Sequence, residues 1–241
     1  MKKTTLVIPT YNEKESIKPL LTSINEVYQA QLNSQTELTI LFVDDSSPDG
    51  TQAEIERNLS NYNFKIEILS RKEKDGLGRA YIAGFKRAIE NGADYIIQMD
   101  ADLSHEPKVL PTMIEALDRN DFVIGSRYAK GGQLPKWSWS RKLISKGGNL
   151  YSRIILGFGI HDYTGGFNAY KREVLEALKL DQIKSNGYSF QIEMKYRAKR
   201  AGFKFTEVPI HFQDRTFGSS KFSRGIFVEA LINTLKLRFT A

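Results

Sequence analysis

The chain has 241 residues, of which 41% are hydrophobic and 26% are charged, and its formal net charge is +7. This composition is typical of a globular domain with a full core and excludes a disordered or low-complexity chain. Because the chain has no cysteine, disulfides and thiolate metal sites are also excluded, and its three scattered histidines favour oxygen ligands for any metal.

Membrane-spanning segments are not expected, because no apolar run approaches the roughly 18 to 20 residues that a helix needs to cross a bilayer. The first residues lead directly into a predicted strand rather than into the apolar region of a signal peptide. We therefore expect a cytoplasmic protein.

Strands and helices alternate along the first half of the chain. Apolar runs predict strands at residues 5–8, 38–43, 64–69, 95–99 and 122–126. Helical spacing predicts helices at residues 13–31, from 51, at 77–91 and at 107–119, and Asn12 with Glu15 is predicted to cap the first. This βαβ order predicts an α/β fold with a mostly parallel sheet flanked by helices.

The alternation weakens after residue 126. Helices are predicted at residues 140–156, 190–201 and 224–237, the last of them amphipathic. A strand is predicted at residues 205–212, and Pro209 within it indicates an edge of the sheet. We expect one domain over residues 1–241.

Two carboxylates separated by one small residue follow the fourth predicted strand, in the sequence Asp100-Ala101-Asp102. A strand that ends in this way directs two oxygen ligands toward one point, an arrangement suited to holding Mg²⁺ or Mn²⁺ against a diphosphate. The sequence therefore predicts a nucleotide as ligand. The alternative is an acidic turn with no ligand.

Other polar residues follow the first two predicted strands. Ligands of open α/β sheets lie beyond the carboxyl ends of the strands, so the loops after strands one, two and four should line one pocket. Tyr11 can stack on a base or ribose, and Glu13, Asp44 and Asp45 can accept hydrogen bonds from base N–H groups and ribose hydroxyls. Asp44 or Asp45 alone could instead form a turn that caps the next helix.

The net charge of the chain arises in one segment. Residues 122–161 contain no Asp or Glu but seven basic residues, which equals the whole excess, and both tryptophans, Trp137 and Trp139. Such a patch suits nucleic acid, an anionic bilayer surface or a phosphorylated substrate, and tryptophan beside lysine favours lipid headgroups. A solvated loop without a partner is the alternative. The basic residues are Arg127, Lys130, Lys136, Arg141, Lys142, Lys146 and Arg153.

Several motifs together resemble the inverting family 2 glycosyltransferases of the GT-A fold. They are residues 7–13 (VIPTYNE), 43–51 (VDDSSPDGT), 76–80 (GLGRA) and 99–105 (MDADLSH). Within that family the chain is similar to the dolichyl-phosphate, or polyprenyl-phosphate, mannosyltransferases. This narrower resemblance rests on residues 125–128 (GSRY), Trp137 with 141–147 (RKLISKG), 187–194 (GYSFQIEM), 207–210 (EVPI), and 214–215 (DR) with 218–221 (GSSK).

The resemblance implies roles for individual residues. Those around the nucleotide sugar are Pro9, Tyr11, Glu13, Val43, Asp45, Asp100 and Ala101, with Asp100 and Asp102 on the metal, Mg²⁺ or Mn²⁺. Catalytic contacts to phosphates or sugar fall on Asp102, Arg127, Arg215 and Lys221, and those to the acceptor phosphate on Arg141 and Ser145. Asn168 stands where many relatives have arginine, and Ser104 where some have a glutamine metal ligand. The ligands beyond the two aspartates therefore stay open.

The activity that the resemblance implies is transfer of mannose from GDP-mannose to a dolichyl or polyprenyl phosphate, with UDP-glucose or another nucleotide sugar as the alternative donor. A phosphate monoester, with a second pKa of about 6, is already an anion and needs no general base. Two other functions are disfavoured. A module that only binds nucleotide sugars would lack the acceptor arginine, which is expected here at Arg141. A nucleic-acid-binding protein is disfavoured because the acidic cleft would repel a polyanion unless a metal filled it.

We expect residues 1–127 to bind the nucleotide sugar and residues 128–241 to bind the acceptor. The lipid tail of the acceptor cannot leave the bilayer, so we expect a peripheral enzyme at the cytoplasmic membrane face, with room for a membrane-anchoring partner subunit. The expected docking residues are Trp137, Trp139 and, in the last helix, Ile226, Phe227, Ala230, Leu231 and Leu235. That helix could instead pack on the domain.

Overall fold

The computed structural model describes residues 1–135, 137–214 and 224–240. Within these ranges, seven strands form one sheet and helices cover both of its faces. The strands are β1 (Lys2–Thr10), β2 (Thr36–Asp44), β3 (Lys65–Ser70), β4 (Tyr95–Gln98), β5 (Phe122–Ser126), β6 (Asn168–Lys171) and β7 (Phe205–Pro209). The α-helices are α1 (Lys14–Val27), α2 (Thr51–Glu56), α3 (Leu77–Glu90), α4 (Leu110–Arg119), α5 (Trp139–Leu156), α6 (Arg172–Ala177), α7 (Gly187–Arg200) and α8 (Arg224–Thr240).

The sheet has the strand order β3-β2-β1-β4-β6-β5-β7. All neighbours are parallel except β6, which runs antiparallel to both β4 and β5. The predicted mostly parallel α/β sheet is confirmed, and β7 lies at an edge as Pro209 indicated. Neither β6 nor α6 was predicted, because a four-residue strand beginning with asparagine carries too little apolar pattern.

The topology brings three segments together at the carboxyl-terminal end of the parallel strands. Since β1, β2 and β4 are parallel, their carboxyl ends lie side by side, with Thr10 opposite Asp44 and Val7 opposite Gln98. Because β6 is antiparallel, its first residue, Asn168, pairs with Gln98 near the end of β4. The loop that precedes β6 therefore meets the loop that follows β4, next to the point where the strand order reverses.

The start of α1 differs from the prediction. Asn12 does not cap this helix. It has a positive φ of 60°, and its amide donates to Ser47 Oγ (3.1 Å) in the loop after β2. Glu13 precedes the helix without a side-chain cap. The capping prediction was wrong because a contact between two loops takes precedence over local helix chemistry.

The core has two parts, one on each face of the sheet. Alternating strand residues point to opposite faces, so Leu6 and Ile8 join α1 and α4, while Val7 faces α3 and α7. Helix α3 lies close to the sheet at Gly84. A Cβ at this position would stand 2.3 Å from Val7 Cγ1 and 2.9 Å from Val43 Cγ2. The close approach of α3 therefore requires glycine.

We predict that Gly84→Ala lowers the free energy of unfolding by about 1–3 kcal/mol, because the added methyl overpacks the contact with two rigid valines. Gly147→Ala is the matched control: this glycine also lies within a helix, α5, and a Cβ there meets no atom within 4 Å. The control should gain up to about 1 kcal/mol in helix propensity. Urea denaturation measures the free energy of unfolding of both variants. Equal changes in Gly84→Ala and Gly147→Ala would show that the close approach of α3 does not require glycine.

Candidate functional site

The acidic turn after β4 is held by hydrogen bonds to both of its aspartates. The Tyr81 hydroxyl donates to Asp100 Oδ1 (2.7 Å), and the Asp100 amide donates to His105 Nδ1 (3.1 Å). Asp102 is buried, and its Oδ1 accepts hydrogen bonds from the amide (3.0 Å) and hydroxyl (2.6 Å) of Ser104. The turn is therefore a fixed structure rather than an acidic surface loop.

His105 forms part of this turn and was not predicted as a site residue. Its buried ring stacks on Phe167 at 4.9 Å between centroids and meets Phe212 edge-on at 5.6 Å. Because Nδ1 accepts from the Asp100 amide, the proton of the neutral ring lies on Nε2. His105 thus fixes the backbone of the turn by accepting a hydrogen bond.

A glycine from the loop before β6 forms the opposite wall. A Cβ at Gly166 would lie 3.5 Å from Asp100 Oδ2, 3.5 Å from Gln191 Nε2 and 3.7 Å from His105 Cε1. Any larger residue would extend toward the Asp100 carboxylate. The glycine therefore leaves room beside the acidic turn.

A buried amide cluster lies behind this wall. Gln98 Nε2 donates to Gln191 Oε1 (2.7 Å), and Asn168 Nδ2 lies 3.3 Å from the Oε1 atoms of both glutamines and 3.2 Å from the Gly165 carbonyl. Asn168 is fully buried. The Asn168 side chain supports the loop before β6 through its contact with the Gly165 carbonyl.

Asp44 forms hydrogen bonds at the start of the loop after β2. It is fully buried, and its carboxylate accepts from the Thr10 hydroxyl (2.9 Å), the Ser47 amide (2.9 Å) and the Ser47 hydroxyl (2.6 Å). These bonds match the turn-forming alternative. A contact of Asp44 with the nucleotide stays a prediction.

Asp45 lies at the same edge and is also buried. Burial raises the pKa of its carboxyl group, and the nearby Arg71 guanidinium, with Nη1 3.2 Å from Oδ1, opposes this rise. Lys74 Nζ lies 3.8 Å from the centroid of the Tyr11 ring and also acts electrostatically on Asp45. Tyr11 and Asp45 therefore lie near the same lysine.

The remaining residues predicted for the nucleotide sugar lie at the ends of β1 and β2, in the loop after β1 and in the acidic turn. Pro9 and Val43 pair in register at the ends of β1 and β2. The side chains of Val43 and Ala101 are buried in the core. The amide of Glu13 donates to Thr51 Oγ1 (3.0 Å), which ties the loop after β1 to α2.

Arg127 is buried in an ion pair that sequence reasoning missed. Its Nε and Nη2 bind the two carboxylate oxygens of Asp162 at 2.7 Å each, and Nη2 also donates to Thr164 Oγ1 (2.8 Å). Burial alone would raise the pKa of Asp162, but the Arg127 guanidinium lowers it to about 2. Arg127 thus has a structural partner in addition to its expected role near phosphates or sugar.

Lys195 of α7 completes this cluster. It is fully buried, and its Nζ donates to the main-chain oxygens of Asp162 (2.9 Å), Tyr163 (3.2 Å) and Gly165 (2.7 Å). Burial lowers the pKa of Lys195 to about 7, against the opposing charge of Asp162. The buried charges therefore fix the loop that presents Gly166 to the acidic turn.

The predicted acceptor residues lie on α5. Arg141 and Ser145 are one helical turn apart, which places them on one face. The Arg141 guanidinium carbon lies 4.3 Å from the centroid of the Trp137 ring, whose Nε1 donates to Asp214 (2.8 Å). Ser145 Oγ lies 2.7 Å from the hydroxyl of Tyr128. Arg215 and Lys221 lie outside the described residues.

The donors at the acidic turn suit a hard divalent cation. In the described ranges, no group of three or more His, Asp or Glu side chains could hold a metal by itself. Mg²⁺ usually keeps several waters and binds through one or two carboxylates together with substrate phosphates. Asp100 and Asp102 fit that manner of binding, in which the substrate supplies the other ligands.

Residues 5–179 match glycosyl transferase family 2. The chain belongs to this family. It is 44% identical over 230 residues to the undecaprenyl-phosphate mannosyltransferase of Micrococcus luteus, covering 95% of this chain and 91% of that protein. It is 43% identical to the polyprenol monophosphomannose synthase of Mycolicibacterium smegmatis, covering 95% and 84%. The chain is thus an enzyme, a glycosyltransferase, as its motifs predicted.

Solved structures share the fold. The glucosyl-3-phosphoglycerate synthase of Mycobacterium tuberculosis, in complex with Mn²⁺, UDP-glucose and glycerol 3-phosphate, has a TM-score of 0.67 at 16% identity, covering 98% of this chain and 80% of that one. A mannosyltransferase from Pyrobaculum calidifontis, in complex with GDP-mannose and Mn²⁺, has a TM-score of 0.60 at 16% identity, covering 98% and 70%. The predicted GT-A fold is confirmed.

We predict that Asp162→Ala lowers the free energy of unfolding by about 3–5 kcal/mol, because it leaves the Arg127 charge buried without its partner. Asp181→Ala is the matched control. That aspartate pairs with Lys86 at the surface with 83% of its side chain exposed, and its loss should cost about 0–1 kcal/mol. Urea denaturation at neutral pH measures both, and a small effect of Asp162→Ala would contradict the role of the ion pair.

The same pair predicts a pH dependence. The pKa of Asp162 is held below its unfolded value, so its stabilisation is present above pH of about 4 and is lost as pH falls toward 2. The stability difference between wild type and Asp162→Ala should therefore shrink over this range. A difference that grows as pH falls would show that the Asp162 carboxylate is not stabilised by its surroundings.

Proposed function

We propose that this enzyme transfers mannose from GDP-mannose to a dolichyl or polyprenyl phosphate, with Mg²⁺ or Mn²⁺, at a membrane surface. Its curated relatives are named for transfer of mannose to undecaprenyl phosphate and for synthesis of polyprenol monophosphomannose. The observation that carries the proposal is the pairing of an acidic turn, suited to a metal-bound diphosphate, with an acceptor face that bears Arg141 and Ser145.

The segment that carries Arg141 and Ser145 suits a phosphate acceptor rather than a sugar hydroxyl. Residues 122–161 supply basic and hydroxyl groups but no carboxylate that could act as a general base. A phosphate oxygen is already charged and can attack the anomeric carbon directly. The bond from C1 to the acceptor phosphate forms as the bond from C1 to the nucleoside diphosphate breaks, so the configuration at C1 inverts.

The residues of the chain then position the two substrates. Arg141 orients the acceptor phosphate through its guanidinium, with the hydroxyls of Ser145 and Tyr128 beside it. Asp100 and Asp102 would hold the divalent cation, which when bound neutralises charge on the departing diphosphate. We further propose that Arg215 and Lys221 assist in that neutralisation.

A donor screen tests this function. The purified enzyme is incubated with a short polyprenyl phosphate, Mn²⁺ and one radiolabelled nucleotide sugar at a time, and the lipid fraction is counted. We expect label in the lipid with GDP-mannose, and its loss in Asp102→Ala and in buffer containing chelator. Labelling from UDP-glucose alone would establish the alternative donor, and full activity of Asp102→Ala would refute the metal assignment.

For the acceptor site, we predict that Arg141→Lys reduces kcat/KM for the lipid phosphate about 10- to 100-fold. The reason is that a guanidinium can donate two hydrogen bonds to the phosphate at once, which the ammonium group of lysine cannot reproduce. Affinity for GDP-mannose, measured by calorimetry, should stay within about twofold of wild type. Arg153→Lys, the same change in the last turn of α5, is the control and should leave both values unchanged. Equal loss of donor binding would move Arg141 to the donor site.

Only some of the residues predicted for membrane docking are exposed. Trp137 is half-buried and Ala230 is buried, whereas Trp139 and Leu235 are exposed. The side chains of Ile226 and Phe227 lie outside the described residues. None of the described helices is long and apolar enough to cross a bilayer.

We propose that the docking surface is a stripe along α5 continued by α8. The α5 residues are spaced by four and seven, which places them on one face. Tyr151 joins the two helices by donating to the Leu231 carbonyl (3.1 Å). Lys142 and Lys146 on α5 add positive charge suited to anionic headgroups. The exposed apolar residues that form this stripe are Trp139, Leu143, Leu150, Ile154, Ile232, Leu235 and Phe239.

Co-sedimentation with vesicles rich in phosphatidylglycerol tests this surface. We expect binding that falls with salt and that weakens at least about tenfold in Leu143→Ser/Ile154→Ser, since each side chain loses burial worth about 1.5–3 kcal/mol. Leu59→Ser, at an exposed leucine outside α5 and α8, is the control. Binding unchanged by the double substitution would exclude the stripe, and absence of binding with activity on detergent-solubilised acceptor would favour a partner subunit.

A further inference from the structure

Tyr81 of α3 is fully buried, and its hydroxyl donates to Asp100 Oδ1 at 2.7 Å. The ring is clamped in place by two aromatic neighbours. It lies parallel to Phe190 of α7, at 5.9 Å between centroids and 1° between planes, and close to Phe85 of its own helix at 5.8 Å. The direction of the hydroxyl is therefore fixed by packing from two helices.

The contact determines how the Asp100 carboxylate is turned. With Oδ1 toward Tyr81, Oδ2 lies on the side of Gly166, 3.5 Å from the position that a Cβ there would occupy. The backbone of the same residue is held by His105 Nδ1 (3.1 Å). Asp100 is thus oriented by one contact to its side chain and another to its main chain.

Packing alone does not account for the hydroxyl. Phe85 stands one helical turn later in the same core cluster and packs without a polar atom. A buried hydroxyl must be hydrogen-bonded to avoid an uncompensated loss of solvation, and a phenylalanine at position 81 would keep the ring stack without that requirement. The partners of the hydroxyl are the Asp100 carboxylate, to which it donates, and the Gln98 side chain, and of the two only Asp100 belongs to the acidic turn.

We propose that Tyr81 is a positioning residue, whose hydroxyl orients the Asp100 carboxylate so that Oδ2 is presented beside Gly166 to the metal and diphosphate. This inference rests on the proposed metal-dependent function. Partners that orient a metal-binding side chain are typically worth about 10- to 100-fold in metal affinity. Tyr81 acts through Asp100 and does not itself contact the substrate.

The test uses calorimetry of GDP binding at a series of Mn²⁺ concentrations, which gives the Mn²⁺ concentration for half-maximal binding. Tyr81→Phe should raise this concentration about 10- to 100-fold. Tyr95→Phe is the matched control, since its hydroxyl donates to Asp118 Oδ1 (2.9 Å) from the first residue of β4, at the other end of the strand. Asp100→Asn should abolish the Mn²⁺ dependence.

A second variant tests the other oxygen of the same carboxylate. Gly166→Ala places a methyl 3.5 Å from Asp100 Oδ2, an ordinary contact that the fold can accept but that narrows the approach to this oxygen. It should also raise the half-saturating Mn²⁺ concentration. Should Tyr81→Phe fail to fold, as judged by circular dichroism, Gly166→Ala decides whether Oδ2 is the presented atom.

The outcomes separate this inference from the function on which it rests. If Asp100→Asn keeps the Mn²⁺ dependence of the wild type, the proposed metal site is wrong and the role of Tyr81 falls with it. If Asp100→Asn loses that dependence while Tyr81→Phe and Gly166→Ala both match the wild type, the metal site stands and the positioning role is overturned.

Discussion

One antiparallel strand, β6, lies between β4 and β5, and the candidate site depends on its direction. Because β6 runs against its neighbours, Asn168 at its start lies beside Gln98 near the end of β4. The loop leading into β6 therefore faces the acidic turn that follows β4. If β6 were parallel to its neighbours, the loop that precedes it would lie at the opposite end of the strands, and Gly166 would not meet Asp100.

Buried polar groups hold this arrangement in place. In the loop before β6, the Asp162 carboxylate accepts four hydrogen bonds. Three come from the main-chain amide and guanidinium of Arg127 and one from the Gly165 amide. Lys195 binds three carbonyls of the same loop. Buried charges are costly unless they are paired and hydrogen-bonded, and here both conditions are met. The charges fix one loop conformation opposite the acidic turn.

Local patterns were sufficient to predict most of the framework. The apolar run before Asp100 placed the acidic turn at the end of a strand, and helical spacing found α1, α3, α5 and α8. The short strand β6 lacks such a pattern, since its place is set by pairing with two neighbouring strands. Asn12 was misread because its amide bonds to Ser47 in the loop after β2, a contact that local helix chemistry does not contain.

The residues that support the site were the hardest to predict. Tyr81 precedes Asp100 by 19 positions, and Lys195 lies 33 positions beyond the Asp162 carbonyl that it binds. In the sequence, Tyr81 is one of several aromatic residues at helical spacing and Lys195 one of several basic residues on a helix. Their functions follow from tertiary contacts between α3, α7 and the sheet edge. The resemblance to family 2 glycosyltransferases supplied the expected ligand contacts but not these supporting residues.

Asp100 and Asp102 form the protein part of the metal–diphosphate site that we propose. Anomalous diffraction from crystals grown with Mn²⁺ and GDP tests this assignment, because manganese scatters anomalously and the peak locates the ion. We predict an anomalous peak at coordination distance from carboxylate oxygens of both Asp100 and Asp102 and from a diphosphate oxygen. Bound GDP with manganese elsewhere, or GDP bound in full occupancy without manganese at this turn, would contradict the account.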